Sequence, residues 1–156
     1  TNASQKRISI RGEEQIMNYQ EKKQDLFEAD FNIWTPAHCI SSDCKMGAGI
    51  AVPMRKKFNL DEMRNLDPYF LEHPNCIYYN GVLNLITKAK YWHKPTMQSM
   101  KASLEIMRDR ISVLSITHVV MPKIGAGLDR LAWNDVKNLM FNIFQDNPIE
   151  ILVCIK

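Results

Sequence analysis

Thr117-His118-Val119-Val120-Met121-Pro122-Lys123-Ile124-Gly125-Ala126-Gly127-Leu128-Asp129-Arg130 reads as a short apolar strand running straight into a glycine-rich loop. The same order occurs earlier in the chain. An apolar segment from about Asn32 to Ile40 leads into Ser41-Ser42-Asp43-Cys44-Lys45-Met46-Gly47-Ala48-Gly49, and the Gly-Ala-Gly tripeptide is repeated. Glycine permits positive φ and close approach of the backbone, so successive amides can converge on phosphate oxygens with no side chain between them. A helix start behind such a loop adds roughly half a positive charge. One Gly-x-Gly is more often a tight strand-to-helix turn than a ligand site. Two of them, side by side where the strands of an open sheet end, make a cradle wide enough for a diphosphate.

Outward from these loops, strand-like and helix-like patterns alternate. A helix is expected through Ile50 to Phe58, and Pro53, which has no amide donor, requires it to begin late or to bend there. Cys76 to Tyr79 and Val82 to Thr87 flank Asn80-Gly81, the dipeptide that best accepts the two left-handed positions of a hairpin turn. After Thr96, a candidate N-cap, Met100, Leu104, Met107 and Ile111 recur at helical spacing. Val136, Leu139, Met140, Ile143 and Phe144 mark a face of another helix, with Asn134 and Asp135 as candidate caps, and Ile149 to Ile155 reads as a closing strand. Alternation of this kind predicts an α/β fold with a mostly parallel or mixed sheet and helices on its faces. Thr1 to Gly12 is polar and basic and is expected to be loosely held.

The chain has 156 residues, which suits one domain spanning residues 1–156, and 46% of them are hydrophobic against 24% charged. Mean hydropathy is −0.28, as in soluble globular proteins. No apolar run approaches the roughly 18 residues of a membrane span, and the first residues are charged where a signal peptide is greasy. These features predict a soluble protein with no membrane contact and no visible export, and its cysteines, which read as reduced, point to an intracellular place in nucleus or cytoplasm. The net charge of +3 favours anionic ligands without forming the dense basic stripe of a nucleic-acid binder. Lys22, Lys23, Arg55, Lys56 and Lys57 offer an RNA-binding surface as a weaker alternative to a solvated charged face. Cys39, Cys44, Cys76 and Cys154 contain no Cys-x-x-Cys and read as reduced, mostly buried thiols. Cys39, Cys44 and His38 have no second cluster to complete a zinc site, so neither a metal nor another cofactor is expected. Nothing in the pattern demands more than a monomer.

The common nucleotide motifs do not fit. Gly-x-x-x-x-Gly-Lys-[Ser/Thr] does not occur, and Gly47-Ala48-Gly49-Ile50-Ala51-Val52 lacks the final small residue of a dinucleotide fingerprint. A different family shares the pattern. His38-Cys39-Ile40-Ser41-x-Asp43-Cys44-x-Met46-Gly47-Ala48-Gly49-Ile50-Ala51, then Leu85-Ile86-Thr87-Lys88, His93-Lys94-Pro95-Thr96 and the loop from Pro122 to Leu131 together resemble a macro domain. The branch resembled is that of the terminal ADP-ribose protein glycohydrolases, also called O-acetyl-ADP-ribose deacetylases. The likeness extends over about residues 19 to 156.

That resemblance implies a three-layer α/β/α fold around a central mixed six-stranded sheet. It implies that Asp25 faces an adenine, with Leu26 lining the same end, although Gln24 stands where the family usually has glycine. Ser41, Met46, Gly47, Ala48, Gly49 and Ile50 would hold the diphosphate and distal ribose from one side. Lys123, Ile124, Gly125, Ala126, Gly127 and Leu128 would hold them from the other. Cys39-Ile40-Ser41 replaces the asparagines of many macro domains, and in this branch catalysis is assigned instead to a lysine and an aspartate, here Lys88 and Asp129. A lysine amine attacks a ribose carbon only when neutral, so Lys88 would be the nucleophile and Asp129 the acid–base.

From the residues alone, Lys88 reads as a solvated strand-end lysine near Lys90, and Asp129 as a partner of Arg130 or a turn cap. His38 and Ser41 either shape the ribose pocket or are satisfied core groups. Trp34, Trp92 and Trp133 read as core or rim aromatics. The implied activity is removal of mono-ADP-ribose from glutamate or aspartate of modified proteins, with deacetylation of O-acetyl-ADP-ribose and a role in the DNA damage response. ADP-ribosylated nucleic acid is a further implied partner. A non-catalytic ADP-ribose reader is the alternative.

Overall fold

The computed structural model describes residues 6–9 and 16–156. The expectation of a loose Thr1–Gly12 falls mostly outside the described residues. Within it, Lys6–Ser9 forms an edge strand, β1.

The remaining strands are β2 (Ile16–Lys23), β3 (Thr35–Ser41), β4 (Asn75–Tyr79), β5 (Val82–Lys88), β6 (His118–Met121) and β7 (Glu150–Ile155). One sheet holds them all in the order β1-β2-β7-β6-β3-β5-β4. The five inner strands run parallel, and β1 and β4 pair antiparallel at the two edges. Strands β2 to β7 thus form the mixed six-stranded sheet expected, and β1 adds a seventh.

Side chains alternate across a strand, and here both faces are apolar. Leu83, Leu85, Val119, Met121, Ile151 and Val153 face one core, shared with α2 (Met97–Leu114) and α3 (Trp133–Phe144). Val82, Ile86, Val120, Leu152 and Cys154 face another, covered by α1 (Ala51–Phe58) and the short 3-10 turns at Asp61–Asn65 and Pro68–Leu71. Two cores on opposite faces of one sheet make the three layers.

Local chemistry sets the boundaries. Asn80 (φ 48°) and Gly81 (φ 79°) supply both left-handed positions of the β4–β5 turn. Thr96 Oγ1 accepts from the Ser99 amide and Ser99 Oγ accepts from the Thr96 amide, each at 3.0 Å, so α2 starts with a reciprocal cap. Pro53 falls in the first turn of α1, where its missing donor is harmless. The expected caps of α3 are corrected: the N-cap is Ala132, with no side-chain bond, while Asn134 and Asp135 lie inside the first turn. Asp135 acts there as a charge on the positive helix end.

Strand β3 begins at Thr35, later than expected, because Asp30 holds the preceding residues in a turn: its carbonyl accepts from the Ile33 and Trp34 amides. The sequence reading missed the edge strand β1 and also β2. Among the described side chains of β2 only Met17 and Tyr19 are buried, and Glu21 ties the strand to α3 by accepting from Trp133 Nε1 at 3.2 Å and Lys137 Nζ at 3.4 Å.

The neighbours β3 and β6 lead to opposite faces of the sheet. The chain leaves β3 for α1 and leaves β6 for α3, so the two connections part and open a crevice at the strand ends.

Candidate functional site

A cleft of about 850 Å³ occupies that crevice. Its size suits a small-molecule ligand. Met46 to Ile50 and Lys123 to Leu128 line it from two sides, together with Leu26, Ser41, Lys88 and Asp129. The two Gly-Ala-Gly loops therefore share one opening.

The first loop is shaped by Asp43. Its carboxylate accepts from the Ser41 hydroxyl, from the Lys45 amide at 3.2 Å and from the Tyr91 amide at 2.9 Å. Burial alone would raise the Asp43 pKa, but these hydrogen bonds and the charge of Lys90 hold it below the usual carboxylate value. Cys44 (φ 54°) and Met46 (φ 45°) take left-handed backbone without being glycine. Such conformations cost on the order of 1–3 kcal/mol each and persist where the surroundings hold them, here the Asp43 bonds and the burial of both side chains. Gly49 (φ 62°) brings the loops together, since a Cβ there would lie 3.2 Å from Leu128 Cδ1. Helix α1 starts two residues later and turns its positive end toward the loop.

The second loop is held differently. Gly125 (φ 73°) packs so closely that a Cβ would meet Met100 Cε at 2.6 Å and Leu131 Cδ1 at 3.0 Å. A Cβ on Gly127 would meet no atom within 4 Å, although Gly127 lines the cleft. Lys94 Nζ donates to the Leu128 carbonyl at 2.7 Å and fixes the outer limb. Helix α3 does not follow the glycines directly, because residues 128–132 intervene, so the helix-start argument applies to the first loop alone.

Lys88 and Asp129 meet inside this cleft. Lys88 Nζ lies 2.7 Å from Asp129 Oδ1, and the two side chains are only 14% and 15% exposed. Lys88 is not a solvated strand-end lysine, and the partner of Asp129 is Lys88. A bulge brings the lysine into line: β3 and β5 pair Ile40 with Ile86 but Ser41 with Lys88, leaving Thr87 as the extra residue. Bulges of this kind re-aim side chains beside sites. Cys39 also lines the cleft, but burial, aided by the charge of Asp129, pushes its thiol far above the usual range and leaves it protonated.

Other expected residues fall elsewhere. Asp25 is not in the cleft wall, which holds its neighbours Gln24 and Leu26. Its Oδ1 accepts from the Phe27 amide at 2.9 Å as the cap of the Leu26–Glu28 turn, and its Oδ2 lies 3.9 Å from Lys156 Nζ at the margin. His38 is a core group, fully buried and 2.6 Å from Asn84 Oδ1 through Nε2. Asn84 Nδ2 donates to the Ile77 and Val82 carbonyls, so its oxygen faces the ring and Nε2 carries the hydrogen. Burial lowers the His38 pKa to about 4.

Ser41 lines the cleft and is bound to Asp43. Trp34 packs edge-on against His118, Trp133 reaches Glu21, and Trp92 is exposed. Cys44, Cys76 and Cys154 are buried and Cys39 partly so. Among the described residues no group of His, Cys, Asp and Glu is placed to hold a metal. The sequence reading passed over Asp43 and Lys94 as site residues, although both stand within the motifs that carried the resemblance.

Known structures share the architecture. The macrodomain of Thermus aquaticus DarG superposes with a TM-score of 0.79 at 20% identity, over 90% of this chain and 99% of that one. In sequence, 124 residues are 41% identical to ADP-ribose glycohydrolase OARD1 of Homo sapiens, spanning 75% of this chain and 78% of that protein. The chain belongs to the macro domain family. As a macro domain it also superposes on Thermosipho africanus DarTG in complex with ADP-ribose, with a TM-score of 0.61 at 16% identity, over 95% of this chain and 43% of that one. No sequence-family profile matches the chain.

Proposed function

We propose that this macro domain is an ADP-ribose-binding hydrolase that frees mono-ADP-ribose from its ester with glutamate or aspartate side chains. Lys88 is the nucleophile and Asp129 the acid–base; O-acetyl-ADP-ribose, an ester of the same sugar, is a second substrate. The observation that carries this reading is the buried Lys88–Asp129 pair, 2.7 Å apart in a cleft walled by both glycine loops. The name of the OARD1 relative supports it.

In this scheme the diphosphate lies against the loop amides and the positive end of α1. Asp129 takes a proton from the Lys88 ammonium, freeing the amine lone pair. The amine bonds to the anomeric carbon of the distal ribose, the bond from that carbon to the ester oxygen breaks, and the carboxylate leaves with the electron pair. The sugar ring opens to an imine on Lys88. Water adds, Asp129 returns the proton, and the carbon–nitrogen bond breaks to release ADP-ribose and restore the amine.

The same pair also suits a reader, if it stays closed over bound ligand. Calorimetry with ADP-ribose, followed by a release assay with a glutamate-linked substrate on the same sample, separates the two. Binding with release is the expected result. Binding without release leaves the reader, and no binding overturns both.

A further inference from the structure

On the side of Lys88 turned toward α2 lies a second, smaller pocket of about 310 Å³, which shares Lys88 and Lys94 with the main cleft. It sits between the end of β5 and the first turn of α2, and that size is at the lower bound of small-ligand sites. A side chain fits such a space better than a nucleotide does.

Its lining is one-sided in chemistry. Lys88, Lys94, His73 and His93 line it, and no aspartate or glutamate does. His93 Nδ1 accepts from the Lys90 amide at 3.3 Å, so its other ring nitrogen carries a hydrogen and is a donor. Thr96 and Ser99, at the start of α2, also line it, which sets the pocket beside the positive end of an 18-residue helix. Independently of the helix, Thr87 lines the pocket, is 1% exposed, and its Oγ1 has no hydrogen-bond partner. A buried hydroxyl left unpaired is costly, and a polar ligand would supply the partner. The bulge that brings Lys88 level with Ser41 is also what leaves Thr87 unpaired across the sheet.

We infer that this pocket is the leaving-group site, holding the carboxylate of an acidic side chain as it departs from the distal ribose. The inference rests on the hydrolase reading. There, the ester oxygen takes the bonding electrons and becomes an anion, and the His93 and Thr87 donors with the Lys94 ammonium lower the cost of that charge while Lys88 is engaged with Asp129 and the sugar.

The test uses N-acetyl-L-glutamic acid α-amide, whose single carboxylate is that of the side chain, as the glutamate probe, with the protein saturated by ADP-ribose, and N-acetyl-L-glutamine α-amide as the uncharged control. Nuclear magnetic resonance should show the glutamate probe shifting the amides of Thr87, Thr96 and Ser99 and the ring of His93, while the glutamine analogue leaves them in place. Thr87→Val and His93→Ala should each weaken that binding about tenfold, the scale of one hydrogen bond to a charged group. ADP-ribose affinity should stay unchanged in both. Because the Thr87 hydroxyl has no partner, Thr87→Val should fold as the parent does. Equal response to both probes, no response at these residues, or full response in the variants would overturn the inference. If ADP-ribose binds but the glutamate probe does not, only the leaving-group site falls. If ADP-ribose does not bind, the hydrolase reading falls with it.

Discussion

Lys88 Nζ and Asp129 Oδ1 lie 2.7 Å apart although 41 positions separate them in the chain, because β5 and β6 flank β3 and end at the same edge of the sheet. The pair joins a strand end to a loop limb and sits where both glycine loops meet. Charge, proton transfer and ligand position are thereby concentrated at one point.

Removing either partner should separate chemistry from binding. Asp129→Asn should lower kcat for a glutamate-linked substrate by roughly 10²- to 10⁴-fold, the usual worth of a positioned acid–base. Its ADP-ribose affinity should move by only a small factor, measured by calorimetry on the same preparation. An Asp129→Asn protein with parental kcat would remove Asp129 from the mechanism.

The two glycines of the second loop should fail in opposite ways. Gly125→Ala places a methyl against Met100 and Leu131 at a φ of 73°, and should destabilise by about 1–3 kcal/mol in urea unfolding. Gly127→Val meets open space and should fold normally, yet lose ADP-ribose affinity because the side chain occupies the cleft. Normal binding by Gly127→Val would show that the ligand does not approach this loop.

Asp43→Ala should loosen the first glycine loop by releasing the Ser41 hydroxyl and the Lys45 and Tyr91 amides together. A loss of about tenfold in ADP-ribose affinity is expected, the scale of one charge-assisted bond. Since the carboxyl pKa is lowered in the fold, its stabilisation is present above the unfolded value and is lost as pH falls through the folded one. An affinity unchanged in Asp43→Ala would mean that the loop keeps its shape without this tether.

His38 gives a pH dependence of opposite origin. Its folded pKa of about 4 lies below the ordinary 6.5, so between those values the unfolded chain binds a proton that the native protein does not. Stability should be complete above pH 6.5 and should fall by about 3 kcal/mol as pH drops to 4. Urea unfolding of the parent and of His38→Gln should show a shallower loss in the variant over this window. Identical slopes would contradict a neutral buried imidazole.

Much of the fold was legible because local signals agreed with the packing. Asn80-Gly81 named its own turn, and Met100, Leu104, Met107 and Ile111 marked the buried face of α2. Strand β2 was not legible, since Met17 and Tyr19 are too short an alternation to stand out before α3 packs on them. The glycine loops and the Lys88–Asp129 pair were readable through the family resemblance. Two features needed the folded chain: the tether at Asp43, whose Tyr91 partner is 48 positions away, and the bulge at Thr87, each of which depends on pairing between distant segments. The turn that removes Asp25 from the cleft wall is local, a capping box between Asp25 and Glu28 that the family resemblance overshadowed.

The most direct test of the account is reductive trapping. Cyanoborohydride added during turnover of a glutamate-linked ADP-ribosyl peptide should reduce the imine and leave ADP-ribose covalently fixed to the protein. Peptide mapping by mass spectrometry is predicted to find that adduct on Lys88 and to find none in Lys88→Ala, which should also release no ADP-ribose. Turnover that proceeds with no adduct, with an adduct on another lysine, or undiminished in Lys88→Ala would contradict Lys88 as the nucleophile.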